Sequence, residues 1–265
     1  MLTTDYVPGA PSWIDLGSRD TDAAAAFYKA LFGWDFQSAG PDAGGYGMFQ
    51  LGGKTVAALG PLQENATSAW TVYFETSDAD ATTKTVEQAG GSVRFAPMDV
   101  FDQGRLAGYT DPTGADFAVW EPRSNKGLDH VGDGALCWTE LYTPDAEKAK
   151  AFYQKIFNWD SIGMPLPDNA GTYHVVSRAG GGQEGSHGGI LQLAPDLLPD
   201  GTAYWQPYFA VADCDGVVAK AAERGAVVLM PATDMQGIGR IALLRDPEGA
   251  FFAVLSPEPP QGSGA

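Results

Sequence analysis

Basic residues are scarce in this chain, and their scarcity excludes whole classes of partner. Lys and Arg together number 16 against 33 Asp and Glu in 265 residues, which leaves a formal net charge of −17. Nucleic acids and anionic membrane surfaces are bound by basic faces, so we expect neither as a partner. No apolar run approaches the length of a membrane-spanning helix, and the start of the chain lacks the basic and apolar regions of a signal peptide. We therefore expect a cytoplasmic protein whose ligand is a small molecule.

Cysteine and histidine are scarce as well, with two cysteines and three histidines in the whole chain. Cys137 and Cys214 lack the spacing of a metal or redox pair, so we interpret both as reduced thiols. His130 falls in a polar connecting segment, whereas His174 and His187 fall on different predicted elements. We interpret all three as surface or hydrogen-bonded groups, although His187 lies close to a strand of interest.

An internal repeat is the main feature that the sequence does contain. Residues 20–36 align with residues 145–161, residues 70–80 with 205–215, and residues 104–119 with 239–254. The unrepeated stretch between the copies is polar and contains glycine, which is typical of a linker. The repeat predicts a first domain over residues 8–122, a linker over 123–133 and a second domain over 134–257. Residues 258–265 have the composition of a disordered tail.

Each half shows the same order of local signals. A strand-like run comes first, then apolar residues at helical spacing, then three short strand-like runs separated by glycine-rich turns, and the order then restarts. The helical stripes are Ala24, Phe27, Tyr28 and Leu31 in the first half and Ala149, Phe152, Tyr153 and Ile156 in the second. This order predicts an α+β fold of four βαβββ modules, two in each half.

Four such modules, with AFYKALFGW and AFYQKIFNW in the helices and DPTGADFAV and DPEGAFFAV near the ends of the halves, resemble the vicinal oxygen chelate superfamily. That superfamily includes glyoxalase I, bleomycin-resistance proteins and extradiol dioxygenases, and the tandem form resembles actinobacterial proteins commonly labelled glyoxalase or hydroxylase. The resemblance implies two domains with cupped mixed sheets, each around one cavity. It also implies a monomer with internal pseudo-dimer symmetry, or a homodimer. Metal-using members place one ligand on each of four strands, but the fold alone does not define an activity.

The residues that align with those ligand positions are unsuited to bind a metal ion. They are Trp13, Ala58, Val72 and Ala118 in the first half, and Trp138, Gly189, Pro207 and Ala253 in the second. None of these side chains supplies an imidazole, a thiolate or a carboxylate. We therefore expect no metal and no other cofactor.

A tryptophan two residues before a carboxylate stands at the first ligand position of each half, as Trp13 with Asp15 and as Trp138 with Glu140. Alternation along a strand places the two members of each pair on one face. By the same alternation we expect further rings to line the cavities, namely Trp70, Phe74, Trp120, Trp205 and Phe209. Such rings suit flat or hydrophobic ligands and, beside a carboxylate, cations. The alternative is that they are packing residues of the core.

Asp15 and Glu140 admit both a structural and a functional interpretation. A buried carboxylate needs a partner, and Arg105 and Arg240, at matching places in the repeat, are the candidates. We also expect both arginines to contact the ligand. As functional groups, the carboxylates would contact a ligand or act as general bases after desolvation has raised their pKa. We predict metal-independent binding of a hydrophobic, aromatic or cationic small molecule, such as an antibiotic or secondary metabolite, for resistance or sequestration.

Two alternatives to simple binding remain open at this point. One is a metal-free isomerase, cyclase or hydroxylase of natural-product metabolism, with Asp15 or Glu140 as the base. The other is a metal-dependent glyoxalase or dioxygenase, which would require a different alignment of the ligand positions. Whether the chain is an enzyme therefore stays undecided by its sequence.

Overall fold

The computed structural model describes residues 2–62, 66–167 and 170–258, so most of the predicted tail lies outside the described residues. The helices of this part are α1 (Thr21–Phe32), α2 (Ala79–Gln88), α3 (Ala146–Phe157) and α4 (Cys214–Glu223). The strands of the first half are β1 (Pro11–Ser18), β2 (Asp35–Ser38), β3 (Gly47–Leu51), β4 (Lys54–Pro61), β5 (Ala69–Glu75), β6 (Ser92–Val100), β7 (Gly104–Thr110) and β8 (Asp116–Pro122). Those of the second half are β9 (Leu136–Thr143), β10 (Asp160–Pro165), β11 (Thr172–Ser177), β12 (Ser186–Gln192), β13 (Tyr204–Ala210), β14 (Val227–Met235), β15 (Gly239–Arg245) and β16 (Phe251–Pro257). Among the described helices, none has the length and apolar character needed to span a membrane.

The strands form two eight-stranded mixed sheets, one from each half of the chain. The first sheet has the order β2-β3-β4-β1-β5-β8-β7-β6, and the second repeats it as β10-β11-β12-β9-β13-β16-β15-β14. The pairs β1 with β4 and β5 with β8 are parallel, and their counterparts in the second sheet are parallel too. The α+β class and the four βαβββ modules predicted from the sequence are confirmed.

The two compact units of the structure do not coincide with the two halves of the repeat. The first compact unit consists of Met1–Ile14, Thr71–Leu128 and Trp138–Gln206, and the second of Asp15–Trp70, Asp129–Cys137 and Pro207–Ala265. Each unit therefore combines modules from both halves, with α2 and α3 in the first unit and α1 and α4 in the second. The domain boundaries drawn from the repeat stay a prediction.

All four helices begin in the same way, which explains an aspartate that recurs in the sequence. The carboxylate of the residue before each helix accepts a hydrogen bond from a backbone N–H three residues later, as at an N-cap. These residues are Asp20, Asp78, Asp145 and Asp213. The helices α1 and α3 both end at a left-handed residue, Gly33 and Asn158, a conformation that glycine and asparagine adopt at low cost. The repeated helix boundaries are thus set by local chemistry.

A hydrogen-bonded chain of tryptophan, tyrosine and aspartate lies in the core of each unit. In the first unit Trp205 Nε1 donates to the hydroxyl of Tyr153 at 2.8 Å, and Tyr153 donates to Asp111 at 2.9 Å. In the second unit Trp70, Tyr28 and Asp246 form the same chain, with both bonds at 3.0 Å. Burial raises the pKa of both phenols well above its usual range, so they remain donors. The repeated AFY and DP-x-G motifs are therefore explained by core structure.

Candidate functional site

The two faces of the sheet strands in the first unit present different side chains. On β8, Phe117 packs against Tyr153 of α3 with ring centroids 5.4 Å apart, and Glu121 accepts a hydrogen bond from a backbone N–H at the start of α2. Side chains alternate along a strand, so Ala118 and Trp120 point away from these helices. We call the face that carries Ala118 and Trp120, and its equivalent on the other strands, the helix-free face.

The neighbouring strand β5 presents Tyr73 and Glu75 on the helix-free face. Tyr73 pairs with Ala118 and Glu75 with Trp120 in the parallel ladder, and paired residues share a face. Phe74 lies between them and therefore points towards the helices, where it is fully buried.

Four of the rings predicted to line cavities lie instead in the apolar cores: Trp70, Phe74, Trp205 and Phe209. Phe74 contacts Trp205 in the first unit at 5.2 Å between ring centroids, and Trp70 contacts Phe209 in the second at 5.3 Å. This corrects the cavity prediction for these four residues. Alternation determines which residues share a face but not which face that is, and a large ring removes most apolar surface from water when it packs against a helix.

The two arginines also differ from expectation, because each pairs with other carboxylates than Asp15 and Glu140. The partners are Asp80 at 3.0 Å and Asp99 at 2.9 Å for Arg105, and Asp215 at 2.6 Å and Asp234 at 2.9 Å for Arg240. In both halves the arginine joins the first turn of a helix to the strand beside it. The matching positions in the repeat thus reflect the same surface brace, and the predicted role in the cavities is corrected.

Glu140 lies in a hydrogen-bonded group on β9 and β11 of the first unit. Trp138 Nε1 donates to the hydroxyl of Tyr173 at 2.9 Å, and that hydroxyl donates to Glu140 Oε2 at 3.1 Å. Burial and the charge of Glu140 raise the pKa of Tyr173, so the phenol stays protonated. A Cβ atom at Gly189 would collide with the Tyr173 hydroxyl. The phenol of Tyr173 therefore covers one of the positions that align with a metal ligand.

Tyr204 and Gln206 on β13 extend this group. The rings of Tyr142 and Tyr204 lie 5.3 Å apart, so Tyr204 shares the face of β9 that carries Glu140. Gln206 lies two residues further along β13 and therefore points to the same face. Its side chain is fully buried, and neither the amide nitrogen nor the amide oxygen is hydrogen-bonded. We call Trp138, Glu140, Tyr173, Tyr204 and Gln206 the Glu140 cluster. Burial and the charge of Glu140 raise the pKa of Tyr204, which agrees with their proximity.

Asp15 has a comparable environment in the second unit. The hydroxyl of Tyr46 donates to Asp15 Oδ2 at 3.2 Å, and both residues line a cavity of about 320 Å³ together with Gly60 and Pro61. The carboxylate is half-buried. Trp13 is buried on β1, two residues before Asp15, as the alternation predicted for the pair. A tyrosine hydroxyl, rather than an arginine, accompanies the repeated carboxylate in both halves.

The sequence reasoning missed Glu75, which ends β5. Its side chain is buried, and its Oε2 has no hydrogen-bond partner. Burial raises the pKa of this carboxyl to about 7, while the ammonium group of Lys126 acts in the opposite direction. A charged residue in a largely apolar strand is a signal that could have identified Glu75. A polar residue in the corresponding strand of the second half could have identified Gln206 in the same way. Tyr173 and Tyr204 carry no comparable signal, because tyrosine is common in strands.

One of the three histidines, His130, is hydrogen-bonded as predicted. His130 Nε2 lies 2.8 Å from the backbone oxygen of Asp133, and His174 Nε2 lies 3.5 Å from a carboxylate oxygen of Glu147. His187 is instead buried against the ring of Trp159, at 4.9 Å between centroids, and neither ring nitrogen is hydrogen-bonded. Burial lowers its pKa to about 3, so it is neutral. The prediction of a surface or hydrogen-bonded group is therefore corrected for His187.

The side chains on the helix-free face do not fit a metal centre of the vicinal oxygen chelate type. The ladders pair Tyr73 with Ala118 and Tyr208 with Ala253, so the fifth-strand positions belong to these tyrosines, which corrects the earlier alignment with Val72 and Pro207. Within residues 2–62, 66–167 and 170–258, no group of three or more His, Cys, Asp or Glu side chains could hold a metal ion. Neutral phenols and methyl groups are poor ligands for such an ion.

Tandem βαβββ modules of this kind define a family, and the chain belongs to it. The family model of the Glyoxalase/Bleomycin resistance protein/Dioxygenase superfamily matches residues 11–119 and again residues 127–254. Many solved structures share the fold, and two of them serve as examples. The 2,2',3-trihydroxybiphenyl 1,2-dioxygenase of Sphingomonas wittichii strain RW1 has a TM-score of 0.65 and 14% identity, with 94% of this chain and 91% of that one covered. The Mn(II)-bound glyoxalase of Novosphingobium aromaticivorans has a TM-score of 0.61 and 17% identity, with 94% of this chain and 83% of that one covered.

Curated relatives align over nearly the whole chain. The anthracycline biosynthesis protein DauV of Streptomyces sp. (strain C5) is 39% identical, with 95% of this chain and 94% of the relative covered. A protein of Mycobacterium tuberculosis (strain CDC 1551 / Oshkosh) named as a candidate glyoxylase, CFP32, is 36% identical, with 97% and 98% covered. The chain is thus similar both to a natural-product protein and to one named for a metabolic activity.

Proposed function

We propose that this protein binds a flat, hydroxylated aromatic small molecule of natural-product type without a metal ion. The observation that carries the proposal is the Glu140 cluster, in which the fully buried amide of Gln206 has no hydrogen-bond partner among the described residues. Burying an amide without hydrogen bonds costs about 1–3 kcal/mol, so a ligand that bonds to it gains affinity from a group already free of water. Glu140 offers an acceptor and Tyr204 a phenol on the same face. These groups suit a ligand edge that carries a hydroxyl beside a carbonyl.

The relatives support this ligand class over an α-oxoaldehyde. DauV is named for anthracycline biosynthesis, and it aligns with 95% of this chain. The metal positions carry Trp13, Ala58 and Ala118 in the first half, and none of these side chains is a ligand for a metal ion. A metal-dependent glyoxalase or dioxygenase reaction is therefore less consistent with this chain than recognition by hydrogen bonds and stacking.

The first prediction concerns metal. Protein purified without chelator should carry well under one equivalent of zinc, nickel, iron or manganese per chain in elemental analysis. Added metal should leave the melting temperature unchanged, because a ligand stabilises a protein only by binding its folded state more tightly than its unfolded state. A stoichiometric ion, with a melting temperature that rises as the ion is added, would contradict metal-independent binding.

The second prediction concerns Glu140. Alizarin, a flat dihydroxyanthraquinone, should quench tryptophan emission saturably, because Trp138 belongs to the Glu140 cluster. Glu140→Gln keeps the shape of the side chain and removes its charge, so the affinity should fall about tenfold, equivalent to ~1.4 kcal/mol. Fluorescence titration measures the dissociation constant.

The matched control for Glu140→Gln is Glu184→Gln, at an exposed position of the same half. Its affinity for alizarin should equal that of the unmodified protein. Equal affinity in all three proteins would place the alizarin site outside the Glu140 cluster.

A further inference from the structure

The carboxyl group of Glu75 is an ionisable group of the first unit that core structure leaves unexplained. It is 7% exposed, its Oε2 accepts no hydrogen bond, and no arginine is bonded to it. Burying a carboxylate without bonds to both oxygens is costly, so such a group is retained in a structure for a reason other than stability. The corresponding residue of the second half is Ala210, so the repeat itself does not require it.

The surroundings of Glu75 on the helix-free face are aromatic. Trp120 is its partner in the ladder with β8, and Tyr73 precedes it on the same face of β5. Tyr73 and Trp120 are 7% and 6% exposed, so all three side chains keep a small access to solvent. Two rings beside a desolvated carboxyl offer apolar surface to a flat ligand.

We propose that Glu75 is the proton acceptor of a catalytic site for carbon acids, namely aromatic ketones whose ring stacks between Tyr73 and Trp120. In the first step a proton leaves the carbon next to the ketone and bonds to the carboxylate of Glu75. The electron pair of the broken C–H bond forms the C=C bond of an enolate, and the ketone oxygen takes the negative charge. Glu75 then returns the proton to the same or a conjugated atom. The net reaction is an isomerisation that needs no oxidant, reductant or metal ion.

The electrostatics around Glu75 suit this step. Burial raises the pKa of the carboxyl to about 7, which puts a base of useful strength in its ionised form near neutral pH. On the neighbouring elements, β8 brings Trp120 beside the carboxyl, Gly9 and Ala10 before β1 bond to the backbone of Glu75, and the linker brings the ammonium group of Lys126. Lys126 is the charged group of these elements that acts on Glu75, and it stabilises the ionised form.

The test uses 2-tetralone, a bicyclic aromatic ketone, in deuterated buffer. Proton NMR should record protein-dependent exchange of the α-hydrogen atoms, with a rate that rises as the pH passes through about 7. Glu75→Gln should lower that rate about a hundredfold, in the range typical of removing a general base. The matched control is Glu87→Gln on the exposed face of α2, which should exchange at the unmodified rate. Equal rates in Glu75→Gln and unmodified protein, or exchange at the rate of buffer alone, would overturn the proposal.

A second measurement tests the raised pKa of Glu75, on which its role as a base depends. The folded pKa of Glu75 is raised from 4.5 to about 7, so the carboxyl stabilises the folded state below the unfolded value, and this stability is lost as the pH rises through 7. The urea midpoint of Glu75→Gln should therefore fall less between pH 6 and pH 8 than that of the unmodified protein. If Glu75→Gln fails to fold, Glu75→Asp takes its place; it keeps the charge but withdraws the oxygen by one methylene, and unchanged exchange in that variant overturns the proposal. Alizarin affinity at the Glu140 cluster is independent of both results.

Discussion

Phe74→Ala should destabilise the protein by about 3–5 kcal/mol, because the substitution leaves a cavity in the core of the first unit. The ring of Phe74 is fully buried and lies 5.1 Å from Trp159 and 5.2 Å from Trp205, measured between ring centroids. Trp205 donates to the hydroxyl of Tyr153 and Trp159 donates to the backbone oxygen of Gly9, so both neighbours are poorly able to move into the space. Urea-induced unfolding, followed by circular dichroism, measures the change.

The control is Phe101→Ala, which removes a ring that is 75% exposed at the β6–β7 turn and should change stability by no more than about 0.5 kcal/mol. Alizarin affinity should be unchanged in Phe74→Ala under conditions in which the variant is folded. If Phe74 instead lined a ligand cavity, its removal would lower the affinity and change stability little. That result would restore the original interpretation of the aromatic residues.

The strands and helices could be predicted from the sequence because their signals are local. The spacing of Ala24, Phe27, Tyr28 and Leu31 defines one face of α1, and an aspartate cap marks its first turn. The repeat then doubles every signal, so each weak strand is supported by its counterpart. The family resemblance implied cupped mixed sheets, but the strand order was not predicted, because pairings between distant strands leave no local mark in a single sequence.

The site was predicted less well, for a reason that Phe74 and Glu75 illustrate. Alternation groups residues 70, 72 and 74 on one face and 71, 73 and 75 on the other, but it does not say which face meets the helices. The choice was settled in the structure by the burial of rings against α3, and it brought Tyr73 and Glu75 to the helix-free face. The prediction assigned the wrong face of the strand to the cavity, so the residues proposed as ligand contacts are core residues.

The prediction of the arginines' partners was wrong for a different physical reason. The sequence predicts a cationic partner for Asp15 and Glu140, because Arg105 and Arg240 match each other in the repeat. A carboxylate can be stabilised by a phenol as well as by a guanidinium group, and Tyr46 and Tyr173 fill that role. Tyr46 and Tyr173 lie at equivalent positions of the two sheets, but both fall outside the stretches that the repeat aligns, so the repeat gave no hint of them.

The buried amide of Gln206 can be tested by a substitution with an outcome unusual for a core residue. Gln206→Met keeps an unbranched side chain of similar length and removes two polar atoms that have no partner, so the free energy of unfolding should rise by about 1–3 kcal/mol. Alizarin affinity should fall at least about tenfold in the same variant, because the ligand loses the amide that it bonds to. Gln183→Met, at an exposed turn, is the matched control and should change neither quantity. A loss of stability in Gln206→Met would mean that bound water satisfies the amide in the unliganded protein. Unchanged affinity would exclude Gln206 from the ligand site. A ligand-binding amide predicts a gain of stability together with a loss of affinity.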